Sequence, residues 1–167
     1  IIAPEITSDS FKTILAFDVS LSGQIVESGK TRFERGVIAA QTYIQEKGIY
    51  SVMIVGKNAI VVRRNVDSQT ALKVIKNLRP LDTQSNLGNA LYTAAEQLNE
   101  NHGRIVLISD LQTTDGTNID AIKKELEKQG IDVVFLNLAQ KKSVVQPLEA
   151  EESDEELSQE ETPSEIV

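Results

Sequence analysis

At 167 residues the chain is long enough for one domain around a single core and short for two of ordinary size. Its 40% hydrophobic and 25% charged residues are ordinary for a globular protein, whereas 4% aromatics is too few for the stacking platforms that bind single-stranded nucleic acid. The net charge of −8 is unevenly held: nine of the 25 acidic residues lie between Leu148 and Val167, a stretch without Lys or Arg, leaving 16 acids against 17 bases in residues 1–147. Neither part carries the basic field that phosphate binding requires. The absence of cysteine excludes disulfides, thiolate metal sites and cysteine nucleophiles and is compatible with either redox compartment. No run reaches the roughly 18 apolar residues of a membrane span. Because the chain opens on Ile1 rather than Met, a segment of a longer protein is expected, with any signal peptide or membrane anchor outside it.

In chain order, Lys12–Val19 (KTILAFDV) reads as the first strand. Thr31-x-x-Glu34 is a capping box that starts a helix carrying Phe33, Val37, Ala40 and Ile44 on one face and stopping at Gly48. Ile49–Val55 and Ala59–Arg63 are strands separated only by Gly56-Lys57-Asn58, so they form a hairpin that places one antiparallel strand at an edge. Arg63-Arg64 on that strand guards the edge against pairing with other chains. A short helix runs from about Ser68 to Leu78 before Pro80, and another from about Asn86 to Asn99. Arg104–Asp110 is the next strand, followed by a helix from near Thr117 to Gly130 and a last strand, Ile131–Leu138. Three of the strands are nearly continuous in Ile, Val, Leu and Phe, as central strands covered on both faces are. The alternation predicts a Rossmann-like, doubly wound α/β domain over residues 1–147, its sheet mostly parallel with helices on both faces. Residues 148–167 are too acidic and too poor in apolar groups to pack, and an acidic disordered tail or linker is expected there.

Ligands of such sheets bind beyond the carboxyl ends of the strands. The first strand ends in Asp18-Val19-Ser20-Leu21-Ser22, a later one in Ser109-Asp110, and the loop Asp82-Thr83-Gln84-Ser85 precedes the third helix. The fold brings these three loops to one edge. Two carboxylates with hydroxyls form an all-oxygen set suited to a hard cation, Mg²⁺ or Mn²⁺. The carboxylates neutralise the ion, and the neutral hydroxyls leave it electrophilic toward an outside anionic oxygen. A plainer use of the same residues is capping of strand-end backbone amides by Asp18 and Asp110. His102, the single histidine, lies in a turn before a strand and reads as a solvated residue rather than a base.

The pattern resembles the von Willebrand factor type A domain and its metal-ion-dependent adhesion site, Asp-x-Ser-x-Ser, a distant Thr, and an Asp after a later strand. Asp18, Ser20 and Ser22 match the first element and Asp110 the last. Against the family's Gly-Thr-x-Leu-x-x-Ala-Leu, Leu87, Ala90 and Leu91 place Ser85 at the threonine position, with Thr83 as the alternative. The family usually has Gly between the serines, Met after them and Gly after the last Asp, where this chain has Leu21, Gly23 and Leu111.

The resemblance implies a monomeric, non-enzymatic protein-binding module. Ser20, Ser22 and Ser85 would contact the metal, Asp18 and Asp110 would do so directly or through water, and the partner would donate an Asp or Glu side chain. Neither nucleic-acid binding nor membrane insertion is expected of this segment. Its style resembles prokaryotic membrane-associated members, including aerotolerance-type proteins, which favours an extracellular or membrane-anchored surface domain over a cytoplasmic one. One alternative is an intracellular adaptor within a protein assembly. Another is a Mg²⁺-dependent phosphohydrolase with Asp18 as nucleophile, which lacks the second acid such enzymes place two residues later, position 20 being Ser.

Overall fold

A computed structural model describes residues 11–45, 47–81, 83–99 and 102–139, so the expected acidic tail lies outside the described residues. Its main sheet has five strands: β1 (Lys12–Asp18), β4 (Ile49–Val55), β5 (Ala59–Val66), β6 (Gly103–Ser109) and β7 (Ile131–Asn137), in the spatial order β5-β4-β1-β6-β7. β1 pairs in parallel with β4 and β6, β6 in parallel with β7, and only β5 runs antiparallel, at one edge. The chain therefore winds outward from β1 in one direction, then returns to β6 on its other side. The carboxyl ends of β1 and β6 flank the point where the winding reverses, the place where open α/β sheets bind ligands.

Alternation along β1 divides the core. Ile14 and Ala16 face one side with α3 (Leu87–Leu98) and α4 (Ile119–Lys128). Leu15, Phe17 and Val19 face the other, with α1 (Arg32–Gln41) and α2 (Ser68–Asn77). Because both faces are covered, β1, β4 and β6 read as nearly continuous apolar runs. Gly103 is needed where β6 starts: a Cβ there would come within 2.7 Å of the Lys12 carbonyl oxygen and 2.6 Å of a Leu98 methyl. The neighbouring strand's backbone cannot yield cheaply, so Gly103→Ala is expected to cost about 1–3 kcal/mol by overpacking. Chemical denaturation measures this as a lower midpoint at unchanged slope.

The structure departs from the sequence reading in three places. First, α1 ends at Gln41 instead of continuing to Gly48. Beyond it the N–H groups of Thr42, Tyr43 and Ile44 bond three residues back, to the carbonyls of Ala39, Ala40 and Gln41, while the Thr42 hydroxyl donates to the Ala39 carbonyl (2.6 Å) and the buried Tyr50 hydroxyl accepts the Gln45 N–H (2.6 Å). Second, β5 runs past Arg63 to Val66 through a register irregularity, with Asn65 at φ 49° and its N–H on the Ser51 hydroxyl. Third, a small hairpin, β2 (Val26–Glu27) and β3 (Lys30–Thr31), sits between β1 and α1. Ser28 and Gly29 form its turn, both with positive φ, as a tight two-residue hairpin turn requires. This hairpin delivers Glu27 to the site described next. Among the described residues no helix is long and apolar enough to cross a membrane.

Candidate metal centre

Strand β1 ends by placing Asp18 at the reversal point, where it is only 5% exposed. One carboxylate oxygen accepts the Ser20 N–H (2.9 Å) and the other the Ser109 hydroxyl (2.6 Å). The hydroxyls of Ser20 and Ser22 lie 3.1 Å apart at the start of a short 3-10 turn, Leu21–Gln24. From β6 comes Asp110, also 5% exposed, with one oxygen accepting the Gln112 N–H (3.1 Å). Leu111 follows in the left-handed region at φ 60°, its N–H on the Ser109 hydroxyl (3.0 Å). A left-handed residue at this position explains why glycine is usual there. Here two side-chain bonds hold a leucine in that conformation.

Asp18, Ser22, Gly23, Arg32, Ser109, Asp110 and Leu138 line a cleft of about 10 Å³. That is room for roughly one water-sized occupant. Among the described residues no three His, Cys, Asp or Glu side chains converge, so the donors here are two carboxylates supplemented by hydroxyls. Each carboxylate spends an oxygen on its own backbone turn, as the plainer reading expected, yet among the described residues each carboxylate oxygen accepts one hydrogen bond and so keeps a second lone pair. The donor set thus fits a small hard cation.

The remaining wall is cationic. Arg32 is the first residue of α1; its Nη1 donates to Asp110 Oδ2 (2.9 Å), while Nε (3.0 Å) and Nη2 (2.8 Å) donate to Glu27 Oε1. Arg35 reaches the other Glu27 oxygen and donates to the Leu138 carbonyl (2.7 Å). The hydrogen bond from Arg32 is the main cause holding the Glu27 carboxyl below its usual range, and the same bond chiefly raises Arg32. Neither Arg32 nor Glu27 stood out in the sequence as a site residue. The available signal was an arginine in the first turn of a helix, where the helix dipole disfavours a cation. Such a residue needs compensating anions, and here they are Glu27 and Asp110.

Of the residues picked from the sequence, Asp18, Ser20, Ser22 and Asp110 come together. Ser85 is half-buried on a loop tied to the same edge, because the Leu21 N–H donates to the Thr83 carbonyl (3.1 Å) and the Asn86 N–H to the Gly56 carbonyl (2.9 Å). Among the described residues no side-chain hydrogen bond links Ser85 or Thr83 to the other four; the Thr83 hydroxyl donates to the Gln84 carbonyl (3.2 Å). His102 is exposed just before β6, away from this edge.

No curated protein matches the chain. Among solved structures, it is similar to an aerotolerance-related membrane protein from Bacteroides fragilis NCTC 9343, with TM-score 0.64 and 19% identity over 75% of this chain and 66% of that one. It thus spans just under two thirds of that relative's length. The VWA domain of SpRpn10 gives TM-score 0.59 at 16% identity, over 75% of this chain and 74% of that one. Proximal thread matrix protein 1 from the mussel byssus, with a zinc-occupied MIDAS motif, gives 0.57 at 15%, over 78% of this chain and 39% of that one. At such identities the likeness establishes the shared Rossmann-like fold alone. The family itself is established by sequence: the profile of the von Willebrand factor type A domain matches residues 13–116. The chain belongs to the von Willebrand factor type A domain family, a family of protein-interaction modules.

Proposed function

We propose that this domain is a metal-dependent recognition module that binds an acidic side chain of a partner protein. The observation that carries the proposal is the convergence of two buried carboxylates, Asp18 and Asp110, with Ser22 on a one-occupant cleft at the sheet's reversal point. Asp18, Ser20, Ser22 and Asp110, with Ser85 or Thr83 from the neighbouring loop, would hold Mg²⁺ or Mn²⁺. When bound, such an ion supplies an electrophilic position for an outside carboxylate oxygen. The non-enzymatic reading is supported by position 20, which is Ser where a phosphohydrolase needs a second acid, and by the single histidine, His102, which lies just before β6 at the opposite end of that strand.

The surroundings support a protein partner. Leu21, Ile25 and Val26, on the segment between β1 and α1, and Leu81 are exposed large hydrophobics, and the Leu81 N–H is anchored to the Val19 carbonyl (2.7 Å). Exposed apolar side chains gathered around a polar centre mark an interaction surface. The matching partner presents Asp or Glu flanked by apolar residues. In keeping with the membrane protein it resembles, the domain would be displayed by a longer membrane-associated chain, as a monomer.

A peptide array varying a single Asp or Glu within apolar flanks, probed in Mg²⁺ and again in EDTA, tests this reading. Capture is expected to require both the acid and the metal. Equal capture in EDTA would instead support a metal-independent adaptor, the reading favoured by Arg32 already neutralising Asp110.

A further inference from the structure

We propose that Arg32 is a tethered competitor of the divalent ion, a resident monovalent cation that limits how tightly this site takes metal; the inference rests on the metal-dependent reading above. Three observations converge on it. The guanidinium lines the same one-occupant cleft as Asp18, Ser22 and Asp110. It already holds Asp110 Oδ2 at 2.9 Å, with side-chain exposures of only 16% for Arg32 and 4% for Asp110. Finally, it is not a loose surface arginine: Glu27 grips it through Nε and Nη2, and Arg35 braces Glu27 from the other side.

The physical consequence follows from charge. A divalent ion in the cleft must share Asp110 with a fixed positive charge a few ångströms away, where partial burial weakens solvent screening. Arg32 also offers Asp110 much of what a metal would, a positive charge, here delivered through a charge-assisted hydrogen bond, so metal-free Asp110 is not left as an uncompensated buried anion. Glu27 sets the strength of this competition, because it neutralises Arg32 from the side away from Asp110. The site is therefore built to bind its ion weakly enough to stay responsive to ion concentration or to a partner's added carboxylate, rather than to hold it permanently.

The alternative is that Arg32 only positions Asp110 as a ligand, and the two roles predict opposite signs. Isothermal titration of Mn²⁺ into the full chain and its Arg32→Gln, Arg32→Lys and Glu27→Gln variants separates them, with circular dichroism confirming that each is folded. For a competitor, Arg32→Gln tightens Mn²⁺ binding by about tenfold or more, because like charge has been removed from a poorly screened site. Arg32→Lys, which keeps the charge, stays near wild type. Glu27→Gln, which leaves Asp110 as the remaining counter-charge of Arg32 among the described residues, weakens binding, and it carries the test should Arg32→Gln not fold. Unchanged or weaker binding by folded Arg32→Gln, or unchanged or tighter binding by Glu27→Gln, overturns the competitor role while leaving the metal site standing. Absence of Mn²⁺ binding by both wild type and Arg32→Gln would instead overturn the metal reading and the competitor role with it.

Discussion

Asp18→Ala is expected to abolish the stabilisation that millimolar Mg²⁺ confers on the wild-type domain. An ion that binds only the native state at a hundred times its dissociation constant adds roughly 2.7 kcal/mol, a rise of several degrees in Tm for a domain of this size. Asp18 is the ligand whose loss should remove this entirely, since among the described residues it is one of two carboxylates on the cleft. The variant should also be weaker in EDTA, by about 1–3 kcal/mol, because the Ser20 N–H and the Ser109 hydroxyl lose a buried charged acceptor. The loss of negative charge beside Asp110 offsets part of that. Thermal unfolding of both proteins in EDTA and in Mg²⁺ reads the two effects separately. The same Mg²⁺-induced shift in both proteins would remove Asp18 from the site.

Phe17→Ala should be the more damaging change to the fold, at about 3–5 kcal/mol. Phe17 is 1% exposed, and its ring meets Phe33 at 6.3 Å between centroids and an interplanar angle of 51°. This tilted pair adds about 0.5–1.5 kcal/mol beyond area burial. It also joins the residue before Asp18 to the residue after Arg32, so it fixes how the exit of β1 faces the start of α1. Truncation is therefore expected to blunt the Mg²⁺ response as well as to lower the denaturation midpoint. An unfolding free energy within about 1 kcal/mol of wild type would show that the Phe17–Phe33 contact is not what joins these elements.

The parts of this structure that were legible in the sequence are those written in contiguous residues. Runs such as Ile14 to Phe17 and Ile105 to Ile108 announce central strands because both faces are buried, and the Thr31–Glu34 capping box marks the start of α1 to the residue. Asp18, Ser20 and Ser22 were legible for the same reason: strand-end spacing places them together without help from distant chain. What stayed hidden depends on long-range or very short features. The β2–β3 hairpin has two residues per strand, too few for any alternation to register. Glu27 could be connected to the site only through that hairpin, and the Arg32–Asp110 bond joins residues 78 positions apart. The segment after α1 is likewise held by Tyr50, a residue of the next strand, reaching back to Gln45. Ser85 is the intermediate case, since its loop is brought to the correct edge by backbone bonds on either side, at Thr83 and Asn86.

On the proposed function, this edge of the sheet binds one divalent cation through Asp18 and Asp110. The most direct measurement is a Mn²⁺ titration followed by electron paramagnetic resonance, which counts bound ions without depending on stability or a partner. Saturation at about one ion per chain is predicted, reversed by excess Mg²⁺ and lost in both Asp18→Ala and Asp110→Ala, as expected for an all-oxygen site. A wild-type titration in which all Mn²⁺ remains free, or bound Mn²⁺ that survives both substitutions, would contradict it.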